Sequence, residues 1–233
     1  MKAILTSLCI LAATLFATAQ EQNYQLIVDN FSRLKVKDGL SVDYRCNADS
    51  AGYVVFTARP DEAAYIGVTN KKGELTVALT AQKEHPTVLP KVTVYSSYLT
   101  SVENTGDGAV RVLNNERNTD FSAKLSGDGS LVVRDVRADR VKAKITLGSG
   151  QIVIYGDCDE ASLNMTGKGL IQADGLKAKE VKCSAYGTGS IGCYPTEILK
   201  IHGMASTTIY YRGNPEIINR ALGVKIEPLS PEK

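Results

Sequence analysis

Asp107 and Asp128 each stand between two glycines, in "TGDG" and "SGDG", one repeat of the chain apart. If successive copies stack as neighbouring strands, the two carboxylates lie about 5 Å apart. That is the separation at which paired carboxylates do acid and base work on a glycosidic bond. The chemistry does not continue along the chain, because the residue between the glycines becomes Ser149, then Lys168, then Thr188. Nothing basic stands beside the aspartates in the motif to steady a charged transition state. A column of mixed polar side chains suits hydrogen bonding to an extended polymer, and equally the plain solvation of a corner. No residue is assigned a catalytic role.

The two histidines form no Ser-His-Asp grouping. His85 precedes Pro86 in a polar bridge, and His202 sits in the alternating stretch "LKIHGMAS", where it reads as a strand residue. Cys46, Cys158, Cys183 and Cys193 contain no CxxC pair, so a zinc site is not expected, and neither is any other metal or cofactor. In an oxidising compartment the four cysteines permit two disulfides in three connectivities, with Cys183 or Cys193 the first candidates. The alternative is buried thiols that pack as small hydrophobes. Tyr155, Tyr186, Tyr194, Tyr210 and Tyr211 gather in the C-terminal half. Aromatic faces suit sugar rings and protein interfaces, and they also suit packing at a cap. Asp107, Asp128, Lys168, Tyr186, Tyr194, Tyr210 and Tyr211 are therefore the candidate ligand-binding residues.

What must position these residues is a repeat. Residues 121–140, 141–160, 161–180 and 181–200 align without a gap, 201–220 continues the frame, and 99–120 is a slightly longer first copy. Glycine pairs recur at Gly106/Gly108, Gly127/Gly129, Gly148/Gly150, Gly167/Gly169 and Gly187/Gly189; the final copy, "GMAST", has none. On either side of each pair run short alternating segments such as "AKI" and "QIVI", the period-2 pattern of strands with one buried face. Strands this short are unstable alone, and stacking copy on copy in parallel turns their apolar positions into continuous ladders. The expected fold is all-β: a right-handed parallel β-helix or solenoid with coils of about 20 residues. The glycines form the corner of each coil, through positive φ and through backbone stacking too close for a side chain. A phosphate-cradling loop is excluded, because a strand and not a helix N-terminus follows every pair. Calcium-binding nonapeptides are absent.

Residues 1–19 have the order of a secretory signal peptide, with Lys2, an apolar run from Ile4 to Phe16 and cleavage expected after Ala19. Residues 20–90 read as a less regular β-rich part, capping or degenerate coils, ending in the bridge "AQKEHPTVLP". Residues 91–229 form the repeat solenoid, closed from 209 onward by a C-terminal cap, and 230–233 are a tail. The formal charge of +2, interspersed in both signs, speaks against nucleic acid as a partner. No later segment is long enough to span a membrane.

The chain resembles secreted Gram-negative proteins described as autotransporter-adhesin head domains of the GIN type. The resemblance rests on "FSRLKVKDGLSVDY", "KVTVYSSYLTSVENTGDG", the serial Gly-x-Gly and "YYRGNPEI", and covers nearly all of residues 24–229. That family usually shows Ser-Gly-Ser-Gly in each copy, whereas only the copy at 126–129 keeps the leading serine here, so the motif reads as architecture. The resulting expectation is an exported, non-enzymatic, adhesin-like protein located in the periplasm, at the cell surface or outside. Its partner would be a glycan or an envelope or host protein. The alternatives are a polysaccharide lyase or hydrolase, by analogy with enzymes on β-helices, and a structural envelope protein that self-assembles as a homo-oligomer.

Overall fold

The computed structural model describes residues 20–80 and 88–229. The expected leader at 1–19, His85 and the tail 230–233 lie outside the described residues. Strands β1 (Gln22–Ile27), β2 (Arg33–Val36), β3 (Val42–Cys46) and β4 (Tyr53–Ala58) come first. One helical turn, α1 (Pro60–Ala63), precedes β5 (Ile66–Lys71), β6 (Glu74–Leu79), β7 (Val92–Ser96), β8 (Ser101–Asn104) and β9 (Ala109–Val112). The strands then lengthen: β10 (Asn118–Leu125), β11 (Ser130–Ile145), β12 (Gln151–Met165), β13 (Lys168–Ala185) and β14 (Thr188–Met204). Short strands β15 (Ser206–Tyr211), β16 (Glu216–Leu222) and β17 (Lys225–Pro228) close the chain.

Together they form a β-solenoid of about six turns with coils about 20 residues apart. Two rows of parallel strands face each other. The first row stacks β6, β2, β8 and β10, then the second halves of β11 to β14, then β16. The second row stacks β7, β3 and β9, then the first halves of β11 to β14, then β15 and β17. Parallel pairing in register gives each inward column one chemical character. Leu34, Val102, Ala123, Ala143, Leu163, Cys183 and Ile201 line up on one side. Val42, Val110, Leu131, Ile152, Ile171, Ile191 and Ile209 line up on the other. All of these are buried, and each large aliphatic side chain among them contributes about 1.5–3 kcal/mol by leaving water.

The stacking order is not the chain order. The coil made by β2 and β3 lies between that of β6 and β7 and that of β8 and β9. Antiparallel strands occupy the N-terminal end, with β5 on β6, β4 on β7 and β1 on β4.

The glycine corners stack as the repeat predicts, but mainly for one of the two expected reasons. Among the ten paired glycines only Gly148, Gly169 and Gly189 have positive φ. The expectation of positive φ is therefore corrected at Gly106, Gly108, Gly127, Gly129, Gly150, Gly167 and Gly187, which are not among the positive-φ glycines. What all ten share is backbone proximity. A Cβ on Gly127 would sit 2.7 Å from the Gly106 carbonyl oxygen, and one on Gly148 would strike Gly127. The second member of the early pairs is not a surface residue either. Gly108, Gly129 and Gly150 are buried under the turn. A Cβ on Gly129 would strike the Gly108 carbonyl, and one on Gly150 would strike that of Gly129 and meet the Leu125 side chain at 2.7 Å. These glycines close the inside of the corner and present nothing to a ligand. Gly39, in the coil of β2 and β3, stacks against Gly106 in the same way.

The third copy holds one extra residue at this corner. Its register offset from the preceding copy is 20 before the turn and 21 after it. The surplus is taken up at Leu147, which is 69% exposed, beside Gly148 at φ 85°. The second bend carries no glycine pair, and β11 to β14 run through it unbroken. They turn at register shifts between Val133 and Val136, Val153 and Tyr155, and Ala173 and Lys177. Such bulges bend a strand without ending its pairing. The two runs that flank a glycine pair are separate strands, as the alternation suggests, while in β11 to β14 the run after one pair and the run before the next are halves of one long bent strand.

Among the described residues Ser96, Asn104, Asn115 and Thr207 are buried and polar, and Asn104 ties the glycine corner. Asn104 is fully buried in the column Val36, Asn104, Leu125 and Ile145. Its side-chain amide donates to the carbonyls of Gly108 (2.9 Å) and Ser130 (3.2 Å), and its oxygen accepts from the Gly106 N–H (3.1 Å). The first glycine corner is thus tied from inside.

Candidate functional site

The corner column is assembled as its spacing predicts, and its aspartates are occupied. Asp107 accepts the backbone N–H of Asp128 at 3.3 Å, and Asp128 accepts that of Ser149 at 2.6 Å. Beyond Ser149, Lys168 and Thr188 turn their N–H groups to the carbonyls of Gly148 and Gly167 instead. All five side chains are exposed. A carboxylate that holds the next coil's backbone serves the stack, and it fits a structural corner better than an acid and base pair. In the final copy Thr207 stands in register with Gly189 and turns its hydroxyl to the Gly187 carbonyl, 3.0 Å away.

The tyrosines are not brought together. Tyr186 lies at the glycine corner, 61% exposed, beside a depression of about 590 Å³ that it shares with Thr166, Lys168 and Thr188. Tyr155 and Tyr194 sit at the second bend, where the Tyr155 ring covers Gly175. Tyr210 is opposite Gly192 in the second row, and Tyr211 packs against the core. His202 faces out between Ser184 and Arg220, as an ordinary strand residue. All four cysteines named above are free thiols. Cys183 and Cys193 meet inside the core, and their mutual hydrogen bond, with burial, pushes the Cys183 thiol well above its usual range. Among the described residues no group of His, Cys, Asp and Glu is set to hold a metal ion.

A wider concavity lies elsewhere, on the outer side of the first row. It encloses about 850 Å³, with Phe121, Val141 and Ala161 at its floor and Asp120, Arg140, Lys142, Glu160, Glu180 and Lys182 around it. The columns beside it follow directly from register: Asp120, Arg140, Glu160, Glu180 in one, and Ser122, Lys142, Ser162, Lys182, Lys200 in the next. Arg140 grips Asp120 with two hydrogen bonds, 2.6 and 2.7 Å, which hold that carboxyl below its ordinary range. Lys200 takes Glu180. Nearer the N-terminal end, Glu103 lies between Lys35 and Lys124. Burial would raise the Glu103 carboxyl, but the hydrogen bond from Lys124 and the charge of Lys35 outweigh it and lower it. The glycine-centred reading passed over this groove, although its residues recur at 120, 140, 160 and 180. The signal was the period itself, applied to the charged positions.

A family model described as "Putative auto-transporter adhesin, head GIN domain" matches residues 30–215. The chain belongs to this family. The matched span of the adhesin head domain takes in the inserted coil of β2 and β3, every glycine pair and the groove. Solved structures share the fold at low identity. One, titled a putative adhesin from Bacteroides fragilis, superposes with a TM-score of 0.80 at 19% identity, over 90% of this chain and 97% of its own. A putative lipid binding protein from Parabacteroides distasonis gives 0.72 at 19%, over 91% and 98%. A putative adhesin from Parabacteroides merdae gives 0.71 at 21%, over 91% and 98%. No curated protein matches the chain. No helix among the described residues of the GIN domain is long and apolar enough to cross a membrane.

Proposed function

We propose that this protein is an exported, non-enzymatic binding module that holds a glycan or a protein at the cell envelope. The observation that carries the reading is the outer side of the first row. It is regular and lined at each interstrand step by outward polar and charged side chains, among them Lys142, Lys144 and Lys182, which make no ion pair among the described residues. Membership of the adhesin head family supports it, as do the adhesin titles of the relatives from Bacteroides fragilis and Parabacteroides merdae. Engagement of Asp107 and Asp128 with backbone N–H groups supports a non-enzymatic role. Export rests on the leader-like residues 1–19.

The test is a binding screen of the purified protein against immobilised bacterial and host glycans and against solubilised envelope proteins. A saturable hit without product release is the expected result. Turnover of a polysaccharide, or a stable homo-oligomer that binds neither class, overturns the reading.

A further inference from the structure

Three lysines on the outer side of the first row have no ion-pair partner among the described residues. Lys142 and Lys182 occupy one column with Ser162 between them, and Lys144 lies two residues along from Lys142. Of the other cations on this row, Arg33 pairs with Glu74, Lys35 and Lys124 with Glu103, Arg140 with Asp120, and Lys200 with Glu180, while Arg220 on β16 also has no ion-pair partner among the described residues. The neighbouring carboxylates are engaged in the same pairs, except Glu160, which stands next to Arg140 in its column and makes no ion pair among the described residues. What remains is a local surplus of positive charge. Interstrand spacing sets Lys142 and Lys182 about 10 Å apart, and strand rise sets Lys142 and Lys144 about 7 Å apart.

We infer that this face binds an acidic polysaccharide, laid along the solenoid with its carboxylate or sulfate groups on Lys142, Lys144 and Lys182. The inference deepens the binding reading above and rests on it. Charge complementarity supplies the attraction, and the strand ladder holds the backbone in place, so that only the lysine side chains are ordered on binding. The residues between the lysines select a sugar over a membrane. Ser162, Asn164 and Ser184 offer hydroxyl and amide groups that hydrogen-bond a hydroxylated chain, and no aromatic or aliphatic side chain projects among them to enter a bilayer.

The experiment titrates the full-length protein with polygalacturonate, neutral dextran and anionic phospholipid vesicles. It compares wild type with a Lys142→Gln/Lys144→Gln/Lys182→Gln variant and with a charge-matched Arg45→Gln/Lys71→Gln/Lys72→Gln control. All six side chains lie at the surface, and circular dichroism verifies the fold. Saturable, salt-sensitive binding of polygalacturonate, weakened about tenfold or more by the first variant and unchanged by the control, is the expected result. Equal weakening by both variants reduces the effect to net charge and overturns the inference. Binding of dextran that survives the lysine substitutions overturns it while leaving the glycan-binding reading standing. Binding of vesicles but not polygalacturonate overturns it in favour of a lipid surface. If polygalacturonate fails while the screen yields a protein partner, the inference falls and the binding reading stands; if that screen is also empty, both fall.

Discussion

Asn104 stands where the same column carries Val36 on one side and Leu125 on the other. A leucine there would complete the apolar ladder, and its burial is worth about 1.5–3 kcal/mol. Against that gain stand three hydrogen bonds to the glycine corner. The Gly106 N–H would be left buried without its acceptor, at about 1–3 kcal/mol. Losing the donor to two carbonyls costs about 0.5–1 kcal/mol each; the loss is modest because Gly108 still accepts from the Ser130 N–H at 3.1 Å. The sum favours asparagine, and Asn104→Leu should destabilise the protein by about 1 kcal/mol. Asn104→Ala, which loses the bonds without refilling the space, should cost about 3 kcal/mol. For a chain of this size each kcal/mol lowers Tm by about 2–4 °C. Thermal unfolding followed by far-ultraviolet circular dichroism, with urea midpoints as a second measure, separates the two variants. A leucine variant as stable as wild type, or more so, would refute the argument that backbone satisfaction outweighs apolar burial at this corner.

Gly127→Ala should cost about 1–2 kcal/mol, because its Cβ meets the Gly106 carbonyl, which is backbone and cannot swing aside; an unchanged urea midpoint would sink the stacking explanation of the glycines. Asp43 is gripped by Arg111 through two hydrogen bonds, 2.7 and 2.8 Å, and by Lys91 at 2.7 Å. Burial works to raise its carboxyl, but these cations prevail and lower it from the ordinary 3.8. Its contribution is therefore present above that value and lost as pH falls through the lower, folded one. Asp43→Asn should cost about 1.5 kcal/mol at pH 7, and the gap from wild type should close below about pH 4; a pH-independent gap in urea midpoints would contradict this. Cys183 and Cys193 should resist iodoacetamide until denaturant is added, since both are fully buried. Cys158, pushed up to about 12 by burial and nearby carboxylates, should react slowly in the native state; rapid native labelling of any of the three would show that the last coils open.

The repeat was legible because a solenoid gives each residue the same surroundings once per coil. Glycine pairs, alternating apolar runs and an offset near 20 all restate one local geometry, and translation along the stack preserves it. The slip at the third copy was visible too, and the structure places its surplus residue at Leu147, turned out to solvent at a corner. Those features depend only on neighbours in an unbroken series. Which of the two glycine reasons applies was not legible, because Gly129 and Gly150 are required by the carbonyl of the coil below and not by their own φ.

Other features depend on contacts that no period announces. The coil of β2 and β3 stacks between two later coils. A strand of four or five residues offers two equivalent edges, and only competition among all coils and the capping strands decides which partners it takes. The tyrosines form no cluster, because closeness in sequence within a 20-residue coil does not mean a shared face. The groove and its unpaired lysines arise from adding columns side by side across five coils, so their charge balance is a property of the stacked surface. By itself the sequence determined the coil, its corner and its inward chemistry, since each copy carries that information whole. The tertiary structure alone decided the order of the coils and which charges remain uncommitted on the outside, since both are settled between copies.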